Sequence, residues 1–401
     1  MVYPCRNCNY LVCKYYSHCN SCICSKKSPP AFRTYPFLSW PNYGIWLHFK
    51  PMDYLVCQIL QTKNLKNRIL ISPFRPFFLP LGYLAYSKMQ IFSQQKNGFL
   101  QCSLCPHNCL IENDKTGFCN VRGNQNGKPV LYTYEKIITR NLDPIEKKPL
   151  FHFFPGKKIF SIGSIGCNLN CIFCQNYEIS QAAPVNLSQL KSFSAQQIVE
   201  MALKQPNNIG IAFTFNEPTV SFEYYFEIAK LSHQKGLKNV FVSNGYINQE
   251  PLKQLSPLID AWNIDLKAFS NPFYKQQLGG TLKPVLETLK ILRSEGRHLE
   301  ITFLLIPGLN DSESEFTEMV QWISLNLGDK TPLHISRYFP RYKLKTDPTP
   351  VDLMYRFYEI ASGNLSYVYL GNVDMPGTSD TYCPKCKTLS ISRSGDRKSV
   401  V

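Results

Sequence analysis

Acidic residues are nearly missing from the first 88 positions, where Asp53 stands alone against eleven Lys or Arg. A soluble folded surface carries both signs of charge interspersed, so this stretch does not read as an ordinary globular segment. Also missing is an uninterrupted apolar run. Residues Ile69 to Tyr86 approach membrane-spanning length, but Pro73, Arg75, Pro76 and Pro80 interrupt them, which excludes a lipid-crossing helix there. No clean apolar segment follows a basic N-terminal region, so no secretory signal is read and a cytoplasmic location is expected.

The formal charge of +16 over 401 residues would by itself raise nucleic acid or an anionic membrane as a partner. Residues 1–88 supply +10 of it and the final "GDRKSVV" +1, leaving +5 for residues 89–394. Neither nucleic acid nor membrane is therefore expected. Residues 1–88 show no steady hydrophobic period, are dense in proline and aromatics, and scatter cysteines at 5, 8, 13, 19, 22, 24 and 57. A cysteine-rich metal module is one reading, since Cys5/Cys8 and Cys19/Cys22 each enclose two residues. The charge deficit favours another, an extension foreign to the native chain, with Met89 as the native start. "GDRKSVV" can be encoded by the bases of a common sequencing-library adapter, so 395–401 are expected to be foreign and the native chain to continue past Ser394.

From Lys157 onward the chain becomes regular. "KKIFSIG", "NIGIAFTF", "KNVFVSN", "AWNIDL", "HLEITFLLI" and "PLHISRY" read as buried strands. Between them "SAQQIVEMALKQ", "VSFEYYFEIAKLSHQKG", a stretch from about Gln249, "KPVLETLKILRSEG" and "ESEFTEMVQWISLNLG" have helical spacing. Such alternation predicts an α/β fold with a parallel sheet and right-handed crossovers. Eight strand-helix pairs close a full barrel; six at most predict an open, partial (βα)6 TIM-like barrel over 157–345. A cysteine-rich module over 89–156 precedes it, and a segment over 346–394 with a "CPKC" knuckle follows.

Active residues in such sheets sit at the C-terminal ends of the strands. Those ends read Cys167/Cys171/Cys174, Asn216-Glu217-Pro218, Ser243-Asn244-Gly245, Asp265-Leu266-Lys267, Ile306 through Asp311, and His334 through Arg337. Each has a bland reading alone: "SNG" and "PGLND" are ordinary turn chemistry, and a buried histidine such as His334 is commonly a satisfied core residue. Six in register are harder to dismiss.

Closely spaced cysteines in a chain with no secretory signal point to metal rather than disulfides. Soft thiolates select zinc or iron-sulfur clusters, and a structural zinc site needs a fourth ligand that the trio lacks. A 4Fe-4S cluster on three thiolates leaves one iron open to a small chelating ligand. An amino acid offers an amine and a carboxylate for that position, and S-adenosylmethionine adds a sulfonium that one electron can break.

The spacing Cys167-x3-Cys171-x2-Cys174, with Phe173 before the third cysteine, resembles the radical S-adenosylmethionine (SAM) enzymes. The longer wording "FSIGSIGCNLNCIFCQNYEISQ", with "TFNEPT", "FVSNGY", "IDLKAF", "LLIPGLNDS" and "PLHISRYFPRYKL", resembles the radical SAM enzymes of the AmmeMemoRadiSam system, relatives of the pyruvate formate-lyase activating enzymes. The match runs from about Cys102 to Ser394. The resemblance implies that Cys167, Cys171 and Cys174 hold the cluster and that Phe173 packs near the adenine. It places Asn216 and Glu217 by the methionine amine, and Ser243 and Asn244 by the ribose or carboxylate region. Asp265 and Lys267 then bind the carboxylate end, and Ile306 walls the adenine. It further implies release of a 5'-deoxyadenosyl radical that takes a hydrogen from a substrate, while the barrel orients the reactants and excludes water. A low-potential electron donor is implied as a partner, with Memo-like and AMME-region-like proteins as possible protein partners. Glycyl-radical activases commonly have Asp-Thr-Asn-Gly where this chain has Val242-Ser243-Asn244-Gly245, which puts any cation site using that aspartate in doubt.

Two cysteine groups lie outside the barrel. Cys102, Cys105, Cys109 and Cys119 can close a zinc site or an auxiliary iron-sulfur cluster, and Cys383 and Cys386 have the half-site geometry of a zinc ribbon. Spacing does not choose the metal, and six cysteines exceed one tetrahedral site. In the linker "DPIEKKPLFHFFPGKK" the charges read as a solvated turn and His152 as a packed histidine. On the substrate side His334 and Arg337 are singled out at the last strand end, with structural duty as the competing reading. Three functions follow: a radical SAM enzyme on an unidentified substrate, an activase that makes a glycyl radical on a partner enzyme, and a zinc-ribbon scaffold or nucleic-acid binder.

Overall fold

The computed structural model describes residues 92–182, 187–394 and 397–399. The expected extension 1–88, with its seven cysteines and Met89 after it, lies outside the described residues, as do four of the seven residues of the 395–401 tail.

Eight strands form the central sheet. Its edge is β1 (Thr139–Pro144), antiparallel to β2 (Lys158–Gly163). Then β3 (Asn208–Phe213), β4 (Lys238–Ser243), β5 (Ala261–Asp265), β6 (His298–Leu305), β7 (Leu333–Arg337) and β8 (Val368–Gly371) follow in sequence order, all parallel. Six helices make the crossovers: α1 (Ala195–Leu203), α2 (Phe222–Gln234), α3 (Gln249–Leu255), α4 (Leu282–Ser294), α5 (Glu313–Leu327) and α6 (Val351–Ser362). Six strand-helix pairs in an α/β partial barrel are what the alternation predicted.

The strands read as apolar runs because both faces are covered. Ile211, Phe213, Val240, Phe241, Ile264 and Ile301 are fully buried. Helix starts follow local chemistry. Ser194 and Gln197 form a reciprocal capping box at α1, and Ser312 accepts a hydrogen bond from the Glu315 amide at the head of α5. Glu313 and Glu315 in the first turn of α5 complement the helix dipole.

The sheet extends past both boundaries drawn from sequence. A seventh parallel strand, β8, falls in the 346–394 segment, and β1 falls in the 89–156 segment. Strand β8 is four residues long, and β1 is polar and ends in Pro144, as edge strands do; neither carries a periodic signal.

The linker between β1 and β2 is packed rather than solvated. Ile145 and Leu150 are fully buried, and Glu146 and Lys148 are 5% and 3% exposed. Lys148 Nζ donates to Asp143 at 2.8 Å and Gly156 N to Glu146 at 2.7 Å. Glu300, the third residue of β6, clasps this linker across the strand starts. Its carboxylate accepts from Phe151 N at 2.9 Å, His152 N at 2.8 Å, His298 Nε2 at 2.9 Å and His334 Nε2 at 2.7 Å. His334 is the second residue of β7, so it belongs to this clasp at the strand starts and not to the strand ends where the sequence reading put it. Burial opposes the Glu300 charge, and the bonds from His298 and His334 more than offset it, holding the carboxyl well below its usual range. His152 packs on Tyr367 and shares a 2.6 Å hydrogen bond with the Tyr369 hydroxyl, in keeping with a packed linker histidine.

The N-terminal module consists of short antiparallel strands, Ser93–Lys96 with Phe99–Cys102 and Leu110–Ile111, then Arg122–Gln125 with Lys128–Leu131. It docks on α2 through a buried ion pair. Arg122 Nη1 and Nη2 each donate to a Glu223 oxygen at 2.6 Å, with the two residues 3% and 2% exposed. Thr133 with Ser221 at 2.9 Å and Tyr134 to Glu227 at 2.6 Å extend the seam.

Two outcomes are expected. Glu223→Ala leaves a buried guanidinium unpaired and lowers stability by about 3–5 kcal/mol in urea denaturation, whereas Arg122→Met with Glu223→Leu restores most of that loss. Burial pushes the His152 imidazole down to about 4, below the unfolded value of about 6.5. The unfolded chain therefore takes up that proton first, and stability falls as pH drops from about 6.5 towards 4. His152→Gln, which does not titrate, gives a shallower fall over the same interval.

Candidate active site

The strand ends β2 to β6 bring the sequence-predicted residues to one face. After Gly163 the chain turns through Ser164, Ile165 and Gly166 into the cysteine loop. Gly166 has φ +89°, and a Cβ there would meet Val121 Cγ1 at 2.7 Å and Cys119 O at 2.9 Å. The loop enters against the N-terminal module, and only glycine fits. Asn216 fixes this entry: its Oδ1 accepts from Ser164 N at 3.0 Å and its Nδ2 donates to Ile165 O and Gly166 O, both at 3.0 Å. Farther along, Asn170 N donates to Leu278 O at 2.7 Å, and Lys343 N and Leu344 N donate to Ile172 O at 3.0 and 3.1 Å. Segments after β5 and β7 thus hold the cysteine loop from two sides.

Glu217 is the hub of the second and third strand ends. Its carboxylate, 3% exposed, accepts from Ser243 Oγ at 2.8 Å, Asn244 N at 2.8 Å and Thr219 N at 3.0 Å. Burial pushes its carboxyl up, against those hydrogen bonds. Asn244 carries the chain of contacts onward: Nδ2 donates to Asn168 Oδ1 at 2.9 Å and lies 3.7 Å from Cys167 Sγ. Asn168 Nδ2 in turn donates to Tyr246 O at 2.6 Å.

At the fourth and fifth ends Lys267 Nζ donates to Asp265 at 2.9 Å. Burial works against the ammonium, but Asp265 and the Cys171 sulfur more than compensate and hold it above the usual lysine range. Asn310 ties these ends together. It accepts from Ile306 N at 2.7 Å and donates to Lys267 O and Leu304 O at 2.8 Å each. Ile306 is fully buried, and Phe173 is buried beside Phe273 with ring centroids 6.2 Å apart.

Cys167 and Cys174 are half-buried and Cys171 buried. Burial raises the Cys167 thiol well above its usual range, with Glu217 and the other two cysteines adding to the rise. Cys171 is pushed up to about 12, chiefly by burial and partly countered by Lys267. Among the described residues no group of three or more Cys, His, Asp or Glu side chains is arranged to hold a metal ion. The buried thiols of Cys167 and Cys171 need a positive partner to ionise, the charge that a sulfur-bridged cluster supplies to thiolates.

Arg337 closes β7 at the site face, but its Nε donates to Thr349 O at 2.7 Å and its guanidinium lies 5.1 Å from the Phe339 ring centre. His334 is absent from this face, as described above. Asn168 and Thr349 were missed by sequence reasoning, and Asn310, within a strand end it read, was given no role. Thr349 Oγ1 donates to Leu305 O at 2.6 Å and accepts from Tyr338 N at 3.0 Å. The signal for Asn310 lay in "PGLND", where turn chemistry and a strand-end tie look alike. Cys383 and Cys386 form a tight turn in which Lys387 N donates to Cys383 O at 2.9 Å. They do not line the cavity formed by Cys102, Cys105, Cys109 and Cys119.

The family model for the radical SAM superfamily matches residues 161–323, from within β2 to within α5. An uncharacterized protein of Methanocaldococcus jannaschii is 41% identical over 298 residues, 73% of this chain and 87% of that protein. The 4-hydroxyphenylacetate decarboxylase activating enzyme of Clostridioides difficile is 22% identical over 165 residues, 39% of this chain and 52% of the enzyme. A solved domain of a pyruvate-formate lyase-activating enzyme from Bacteroides vulgatus is 17% identical, with a TM-score of 0.37, covering 41% of this chain and 99% of that one. No helix among the described residues is long and apolar enough to cross a membrane. A cysteine trio at the first parallel strand end, ringed by polar residues from the next four and matched by the family model, makes this chain an enzyme of the radical SAM superfamily.

Proposed function

We propose that the protein is a radical SAM enzyme of the AmmeMemoRadiSam type that abstracts hydrogen from an as yet unidentified substrate. The observation that carries this is the continuous set of contacts from Cys167 through Asn244 to Glu217 and Ser243, which joins the cysteine loop to two further strand ends. Cys167, Cys171 and Cys174 would hold a 4Fe-4S cluster with one iron left without a protein thiolate. With S-adenosylmethionine bound, the cluster would supply one-electron reductive cleavage of the sulfonium, the chemistry that hydrogen abstraction from a substrate needs.

The chain's own residues bind and orient. Lys267, kept charged beside Asp265, offers a cation to the cosubstrate carboxylate. Phe173 and Ile306 provide apolar walls for the adenine, and Asn244 and Ser243 face the ribose side. Glu217 and Asn216 already have their polar atoms engaged within the protein. They act by fixing the second and third strand ends beside the methionine amine. Arg337 stands at the rim on the substrate side. A low-potential donor supplies the electron, and Memo-like and AMME-region-like proteins are the partners this reading favours.

Activation of a partner enzyme through a glycyl radical is a second reading, supported by the likeness to the 4-hydroxyphenylacetate decarboxylase activating enzyme and weakened by Val242 at the activase aspartate position. The zinc-ribbon or nucleic-acid-binding reading is set aside by membership of an enzyme superfamily.

The full chain, reconstituted anaerobically with iron and sulfide and reduced with dithionite, is expected to convert S-adenosylmethionine to 5'-deoxyadenosine, and Cys174→Ala to make none. Equal yields from both proteins end this reading. Lys267→Met removes one charge-assisted contact and is expected to raise the KM for S-adenosylmethionine about 10- to 100-fold, measured by the same product assay.

A further inference from the structure

Among the described residues outside the radical site, four cysteines gather in the N-terminal module. Cys102 ends a strand, Cys105 sits in the turn after it, Cys109 precedes Leu110–Ile111, and Cys119 lies just before Arg122–Gln125. Four separate pieces of backbone bring these thiols around one cavity of about 10 Å³, whose other walls include Leu104, Phe118, Asn168 and Val220. The volume is that of about one water-sized body, and the four thiols share its wall with apolar side chains, Asn168 and Arg122. Backbone bonds lock the frame: Cys102 N donates to Cys109 O at 2.8 Å, and Phe118 N lies 3.5 Å from Cys109 Sγ. The four cysteines form no disulfide.

We propose that Cys102, Cys105, Cys109 and Cys119 bind a thiophilic metal centre of their own, separate from the radical cluster and directly behind its loop. Four thiols around one small cavity are the donor set of a tetrathiolate zinc ion or of a shielded iron-sulfur cluster, and both draw on the same soft-ligand chemistry. As they stand the four do not close on a single-ion position, so occupancy draws the sulfurs together or is met by a wider cluster. The one cation among the residues lining the cavity, Arg122, is paired with Glu223, so a bound metal supplies the positive charge that four thiolates need.

Its place gives the centre a second role. Asn168 directly follows Cys167, and Val220 lies three residues after Glu217, so the cavity shares walls with both the cysteine loop and the Glu217 turn. His107 Nε2 donates to Asn168 O at 2.9 Å, and the Cys119 carbonyl borders Gly166. The centre is a positioning device for the radical site: it stiffens the module surface on which Asn168 and Gly166 rest.

Two measurements test this, neither of which depends on S-adenosylmethionine cleavage. The full chain bearing Cys167→Ala, Cys171→Ala and Cys174→Ala is purified anaerobically, and its zinc, iron and sulfide are quantified. About one zinc per chain, or iron with matching sulfide, is expected, and it is lost when Cys105→Ser and Cys109→Ser are added. Zinc alone identifies a single-ion site, and iron with sulfide identifies a cluster. Equal metal content in the two proteins overturns the proposal. Because the serine variants can fail to fold, the unmutated full chain is also treated with iodoacetamide, with and without a strong metal chelator, and its cysteines are mapped by mass spectrometry. Alkylation of the four residues is expected to rise at least tenfold with chelator; an unchanged rate overturns the proposal.

Discussion

Glu217 occupies a position from which much of the active face is built. Its carboxylate is buried where an uncompensated charge is costly, and that cost is met only if Ser243 Oγ and the Asn244 and Thr219 amides all point at it. Satisfying one carboxylate therefore fixes the spacing between the ends of β3 and β4. Once Asn244 is set, its amide group is committed to Asn168, and the first cysteine of the trio is located in turn. The cysteine loop is thereby referenced to the parallel sheet.

The two ends of the sheet solve different problems with similar residues. At the strand ends buried polar groups tie the loops to one another across one face. At the strand starts Glu300 draws the linker in, with His298 and His334 supplying donors. A carboxylate with histidine partners is a familiar catalytic set, but here all its lone pairs face protein groups and the chemistry is that of a fastener.

Much of this was legible in the sequence because parallel strands covered on both faces appear as apolar runs, and the first polar residue after each run marks an end. Cys167, Asn216, Ser243 and Asp265 were located that way. His334 was misplaced because "PLHISRY" is short, and assigning the histidine to its end required knowing that the strand runs from Leu333 to Arg337. Strand β8 and the edge strand β1 were invisible for a related reason: four residues, or a polar six, carry no period. Asn310 and Asn168 could not be distinguished from loop asparagines, since their importance lies in carbonyls and amides contributed by distant segments. The cysteine spacing of the N-terminal module was plain, but not that Asn168 and Val220 complete its cavity.

The Arg122–Glu223 pair also sets an order of assembly. The two residues lie 101 positions apart in the chain, and the arginine is synthesised first. Until α2 has emerged and packed on the sheet, the strand that carries Arg122 has no acceptor for its guanidinium and no surface to lie on. The cysteine module is thus among the later parts to settle, and its four thiols stay open to solvent or to a metal donor while the first half of the barrel is being made.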